Sequence, residues 1–199
     1  MKIAIACDHG GYQLKEEVKA YLLDREIEVL DLGTDSESSV DYPEYGFKCG
    51  EAVANGDADK GIVICGTGIG ISIAANKVKG VRCSLCTDVT MARLTRQHND
   101  SNVLAMGART TGVVTALDIV DAWLETEFEG GRHQRRVDLL NNYYRPYQKR
   151  MTQEDTSMVE LVLNHQYDLY DDTGATLEEI EDTTEPMRDP SMKPWWKED

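Results

Sequence analysis

Cys65 stands immediately before Gly66-Thr67-Gly68-Ile69-Gly70, and a thiol next to a glycine loop is a pairing able to do chemistry. Glycines let the backbone turn sharply, so several N–H groups converge on one anionic oxygen at the start of a helix. A thiol in such a place titrates below its usual value of about 8.5, which makes thiolate available near neutrality. Base and oxyanion holder are then neighbours. The competing reading is a buried strand cysteine, the common fate of this residue. The adjoining loop favours the chemical one.

Other residues of the same kind recur at segment ends. Asp8-His9-Gly10-Gly11 follows the first apolar run, and His98-Asn99-Asp100 closes a helical pattern. These are two of only four histidines, and both are expected in loops at the carboxyl ends of strands. Gly130-Gly131 precedes Arg132, Arg135 and Arg136, whose guanidinium forks suit a phosphate, although a solvated helix face is the default for such a run. Cys83 and Cys86 have metal or redox spacing but lie within an apparent strand, where residues three apart point to opposite faces, so they are read as core. Two partial dinucleotide fingerprints fail in detail. One has Ile71 where a third glycine belongs and Asp88 downstream; the other is Gly10-Gly11 followed by Asp31. No Gly-Lys-Ser/Thr phosphate loop is present.

The elements that must position these groups alternate. Apolar, β-branched runs at 2–7, 27–31, 60–65, 81–86 and 102–106 are separated by helical spacing at Leu14, Val18, Tyr21 and Leu22, and then at 69–75, 91–97 and 113–124. A further helical pattern follows Gly131. Strand and helix in alternation predict an α/β fold: a doubly wound, mostly parallel five-stranded sheet, Rossmann-like, with helices on both faces. Ligands of such sheets gather at the carboxyl ends of the strands. The domain is drawn at 1–148, with an acidic C-terminal extension at 149–199. That extension is expected to form short helices, from Thr152 with Asp155 and Thr176 with Glu179, and an arm carrying Pro186, Pro190 and Pro194.

Charge excludes some partners. The chain carries −15 in 199 residues, and the stretch 151–199 holds 14 acidic and 3 basic residues. Nucleic acid and an anionic membrane are therefore not expected as partners. No apolar stretch approaches the roughly 20 residues needed to span a bilayer, and the first residues do not read as a secretory leader. Five scattered cysteines do not make a disulfide framework, so a cytoplasmic setting is expected.

Taken jointly, Cys7-Asp8-His9-Gly10-Gly11, Asp41-Tyr42-Pro43, the run from Cys65 through Gly70 to Lys77, Arg96-Gln97-His98-Asn99-Asp100 and Glu129-Gly130-Gly131-Arg132-His133-Gln134-Arg135-Arg136 resemble the ribose-5-phosphate isomerase B and galactose-6-phosphate isomerase family over about residues 1–140. The resemblance implies an aldose–ketose isomerase without cofactor or metal, with ribose 5-phosphate as the expected substrate. Allose 6-phosphate, galactose 6-phosphate, a tetrose phosphate or a non-catalytic sensor of sugar phosphates are the alternatives. It implies Cys65 as the proton-shuttling base beside Thr67, the N–H groups of Gly66, Gly68, Ile69 and Gly70 as the enediolate hole, and His98 as ring opener. Asp8 would bind sugar hydroxyls, His9, Arg132 and Arg136 the phosphate, and Tyr42 and Asn99 other parts of the substrate. A homodimer or homotetramer with shared sites is implied as well. The intact His98-Asn99-Asp100 favours the ribose type; the long tail is a departure from it.

Overall fold

The computed structural model describes residues 1–142; the expected helices and proline arm of 149–199 lie outside the described residues. Five strands form one sheet: β1 (Lys2–Cys7), β2 (Glu28–Asp31), β3 (Lys60–Cys65), β4 (Cys83–Leu85) and β5 (Val103–Gly107). Their order is β2-β1-β3-β5-β4 and every pairing is parallel, so the expected doubly wound architecture is present. The connections are α1 (Tyr12–Asp24), α2 (Tyr42–Ala54), α3 (Ile69–Ala75), α4 (Val89–Asn99) and α5 (Val113–Glu125), followed by α6 (Arg132–Asn142).

Strand residues alternate between two cores, as pleating requires. Ile3, Ile5, Cys7, Ile62, Ile64, Leu104 and Met106 face α1, α4 and α5, where Trp123 is fully buried. Ala4, Ala6, Val63, Cys65, Val103 and Ala105 face α2 and α3. The second face is built from smaller residues, so its helices can lie close. Cys83 and Cys86 fall in opposite cores, in keeping with their reading as packing residues.

Helix α2 goes unread in the sequence, because Pro43, Gly46 and Gly50 make it a poor helix on propensity alone. Packing supplies the reason for the glycines. A Cβ at Gly46 would stand 2.7 Å from the Ala74 Cβ, and one at Gly50 would stand 3.0 Å from Val78. These glycines let α2 press onto α3 and its following turn, which carries Tyr42, at the first residue of α2, to the glycine loop.

Lys15 stabilises the loop beyond β2 from beneath. It is 2% exposed, and its Nζ donates to Asp31 at 2.9 Å and to the Thr34 carbonyl at 3.1 Å. Burial of Asp31 opposes its ionisation, but bonds from Lys19, Lys15 and the Gly33 N–H prevail and hold its carboxyl below the usual range.

Candidate active site

The winding of the sheet reverses between β1 and β3, and the carboxyl ends of these neighbouring strands carry Asp8 and Cys65. Such a switch point opens a crevice above the sheet. The two loops touch across it: the Asp8 N–H donates to the Ile64 carbonyl at 3.3 Å, and a Cβ at Gly10 would stand 3.3 Å from the Gly66 nitrogen. Asp8 is buried and caps the 3-10 turn His9–Gly11, accepting from the Gly11 N–H at 3.0 Å. His9 Nδ1 accepts from the Val40 N–H at 3.2 Å, which leaves Nε2 as the ring's donor.

Cys65 ends β3 on the face of α2 and α3, 5% exposed. The Gly68 N–H donates to its Sγ at 3.1 Å. Gly68 itself is left-handed, φ +76°, and a Cβ there would collide with Leu85 and the Met106 backbone, so only glycine makes this turn. The Thr67 hydroxyl accepts from the Ile69 N–H at 3.3 Å. Across the loop, the Tyr42 ring lies over Gly70, where a Cβ would stand 2.7 Å from Cζ. Asp8, His9, Tyr42, Cys65, Thr67 and the N–H groups of Gly66, Gly68, Ile69 and Gly70 are therefore brought to one end of the sheet.

Arg109 joins them without having been singled out in the sequence. It follows β5, beside β3, and its N–H donates to the Gly66 carbonyl at 2.9 Å. Its side chain passes over Gly66, with Nε 3.4 Å from where a Cβ would be. Together with His9, Gly10 and Thr111 it lines an open cleft of about 470 Å³. The Thr111 hydroxyl is buried there and has no hydrogen-bond partner among the described residues. The strand-end rule applied to Gly107-Ala108-Arg109 finds this arginine; composition does not.

The expected carboxyl-end position of His98 and Asn99 is not what the fold provides. Helix α4 runs back against the strand direction, so its last residues reach the amino end of β5. There the Asn99 carbonyl accepts from Arg82 Nε at 3.1 Å, one residue ahead of β4. Cys65 pairs with Gly107, at the other end of β5 from Val103. Four residue steps at 3.3 Å separate the two ends by roughly 13 Å. Arg132 and Arg136 are exposed on α6, which begins against the end of α4. Within one chain, Cys65 and His98 therefore lie at opposite ends of the sheet.

Exposed apolar side chains include Tyr42 and Phe47 on α2, Ile69 and Ile73 on α3, and Met91 and Leu94 on α4.

Comparison with known proteins decides the family. Residues 3–140 match the ribose/galactose isomerase family. The chain belongs to that family. Ribose-5-phosphate isomerase B of Escherichia coli is 54% identical over 139 residues, 70% of this chain and 93% of that one. The solved structure of Clostridium thermocellum ribose-5-phosphate isomerase B is 56% identical, with a TM-score of 0.73 over 74% of this chain and 99% of its own. That of the Mycoplasma genitalium enzyme, with bound ribulose-5-phosphate, is 42% identical, with a TM-score of 0.70 over 72% and 96%. Members of the ribose/galactose isomerase family are aldose–ketose isomerases, and this chain is one of them. Among the described residues no helix is long and apolar enough to cross a membrane.

Proposed function

We propose that this isomerase interconverts D-ribose 5-phosphate and D-ribulose 5-phosphate by proton transfer through an enediolate, with Cys65 as the base. The observation that carries the reading is the thiol of Cys65 at the head of a glycine loop, accepting from the Gly68 N–H, within a chain whose relatives are named for this activity. The thiolate takes the C2 proton of the open-chain aldose. The electrons of that C–H bond form C1=C2, and O1 becomes the oxyanion. After a proton passes from O2 to O1, the thiol returns its proton to C1 and the C2 ketone forms. Nothing is oxidised or reduced outside the sugar, so no cofactor enters the balance. The N–H groups of Gly66, Gly68, Ile69 and Gly70 stabilise the oxyanion as it develops, and preorganised donors of this kind are worth several kcal/mol. Thr67 stands beside the reacting carbons, and Asp8 and Tyr42 hold sugar hydroxyls.

His98 is the group that opens the furanose, with Asn99 beside it. Ring opening acts on C1 and its oxygens, and proton transfer acts on C1 and C2, so Cys65 and His98 must reach adjacent atoms. A separation of roughly 13 Å along β5 keeps them from doing so within one chain. A second copy supplies the missing half. The site then combines Cys65, Asp8 and His9 of one protomer with His98, Asn99, Arg132 and Arg136 of its partner, in a homodimer or homotetramer that packs through the apolar residues around the loop. His9, Arg109 and the paired arginines grip the phosphate, fixing the reacting carbons near the base. The setting is cytoplasmic, where this substrate class and reduced thiols occur together.

The test is a coupled assay of the full-length chain on pentose, hexose and tetrose phosphates. The expected result is highest kcat/KM for the pentose pair. A preference for allose 6-phosphate or galactose 6-phosphate would replace the substrate and leave the chemistry standing. Binding without turnover of any of them would make the chain a sensor.

A further inference from the structure

Helix α4 ends on a residue whose backbone is unusual for its type. Asp100 is left-handed, φ 46° and ψ 47°, a conformation that glycine occupies more readily than any residue with a Cβ. Two arginines hold it there. Arg82 Nη2 donates to Asp100 Oδ2 at 2.9 Å and to the Asp100 carbonyl at 2.7 Å. Arg96 Nη1 donates to the other carboxylate oxygen, Oδ1, at 2.8 Å. Each oxygen thus has a guanidinium of its own. Both arginines are well covered, with side chains 17% and 7% exposed, so these charge-assisted bonds are sheltered from water. Arg82 comes from just ahead of β4, and Arg96 from one turn back along α4.

The same two guanidiniums close the helix. The last carbonyls of a helix have no partner within it, and its final turn ordinarily frays. Here the Asn99 carbonyl accepts from Arg82 Nε at 3.1 Å, and the Ser101 carbonyl accepts from Arg96 Nη1 at 2.6 Å. The Thr95, Arg96 and Gln97 carbonyls accept from the N–H groups of Ser101, Asp100 and Glu129 at 3.3, 3.2 and 3.1 Å. Arg96 Nε also reaches the Thr126 carbonyl, beyond α5, at 3.3 Å. His98 therefore stands between Gln97 and Asn99, whose carbonyls are tied to two different parts of the chain. A glycine alone would stop the helix; the paired arginines fix where its last turn lies.

We propose that Asp100, gripped by Arg82 and Arg96, is a positioning residue for ring opening: it locks the last turn of α4 so that His98 and Asn99 meet the sugar in one orientation. This rests on the reading of His98 as the ring-opening group. A side chain on a frayed turn samples many placements, and misplacing a reacting group by about 1 Å costs on the order of a hundredfold in rate. Asp100 acts through the two residues it holds and has no part in the proton transfer at Cys65.

Ribulose 5-phosphate supplies the discriminating experiment, because its O5 is esterified and it cannot close to a furanose. Deuterium wash-in at its C1 in D2O needs Cys65 but no ring opening, whereas isomerisation of ribose 5-phosphate needs both. In the full-length protein, Asp100→Gly keeps the left-handed backbone without strain and loses only the carboxylate. It is expected to slow ribose 5-phosphate isomerisation by about tenfold or more, the scale of a loosened catalytic group. Wash-in should stay near the wild-type rate. Asp100→Asn tolerates the same backbone and keeps one acceptor, so it should recover part of the loss. Unchanged isomerisation in Asp100→Gly overturns the proposal. So does an equal fall of isomerisation and wash-in, which would make Asp100 only an anchor of the fold. Should the glycine variant not fold, Asp100→Asn is read in its place: a fall in isomerisation alone supports the proposal, and an equal fall or none overturns it. His98→Ala is the separate control: ring opening at the wild-type rate in that variant sinks the reading of His98 itself.

Discussion

The N–H of Gly68 points at the sulfur of Cys65 from 3.1 Å, and a left-handed glycine is what allows it to do so. At the other thiols burial dominates. Burial pushes Cys7, Cys49 and Cys86 up to about 12 and raises Cys83 well above its usual value. Iodoacetamide at neutral pH is therefore expected to label Cys65 alone, with loss of activity, and bound sugar phosphate should protect it. Peptide mapping by mass spectrometry checks the site; labelling spread over several cysteines would contradict the assignment. Cys65→Ala should lower turnover at least about a hundredfold, with substrate binding nearly unchanged.

Tyr42 and Gly70 are in such close contact that a methyl has no room. Gly70→Ala should displace the Tyr42 ring and the N–H groups of the loop together, reducing kcat by about tenfold or more. Tyr42→Phe keeps the ring and loses only its hydroxyl, so it should affect KM more than kcat. Steady-state kinetics of both variants distinguish shape from hydrogen bonding.

Arg109 and Thr111 offer a contrast at the cleft beside His9. Arg109→Ala should weaken competitive inhibition by inorganic phosphate by at least about tenfold, as expected for a lost charge-assisted bond. Thr111→Val removes a buried hydroxyl with no partner among the described residues. It should leave the free protein as stable or more so, while weakening phosphate by about fivefold, the worth of one ordinary hydrogen bond. Thermal melting with and without phosphate reads both effects. A destabilised Thr111→Val variant with normal phosphate affinity would show that the hydroxyl serves the fold.

The shared-site reading predicts complementation. Cys65→Ala and His98→Ala should each be nearly inactive as pure proteins. Dissociated, mixed in equal amounts and reassembled, they should recover about a quarter of wild-type activity, because half of the dimers are mixed and one site in each is intact. No recovery, with mixed dimers shown by native mass spectrometry, would place Cys65 and His98 in the same chain's site.

His133 also links stability to pH. Its pKa is lowered in the folded chain, chiefly by burial. Below about 6.5 the unfolded chain therefore takes up this proton while the folded one resists it, and stability falls as the pH drops. Melting temperature should decline from pH 7 to 5 more steeply in the wild type than in His133→Phe. Parallel slopes would show that His133 titrates alike in both states.

Much of this was legible beforehand. Apolar runs alternating with helical spacing pointed to the sheet, and the cysteine before a glycine loop marked a strand's carboxyl end, since both are local patterns. Helix α2 was not legible, because Gly46 and Gly50 answer to Ala74 and Val78, residues distant in sequence. The end of the sheet occupied by His98 was missed for a geometric reason: a helix linking parallel strands returns against them, so its last residues lie at the amino ends. His133 gave no sign of burial, since the ring it stacks on is 35 positions away and the approach depends on two left-handed glycines.

The division of Cys65 and His98 between opposite ends of the sheet bears on how activity scales with the amount of protein. On the shared-site reading, a lone chain has no complete site, and catalytic capacity counts pairs and not chains. Where the chain is scarce relative to its dissociation constant, halving its amount quarters the number of working sites. In that range a modest change in gene dosage or protein turnover would be amplified into a much larger change in flux, with no effector bound and no residue modified.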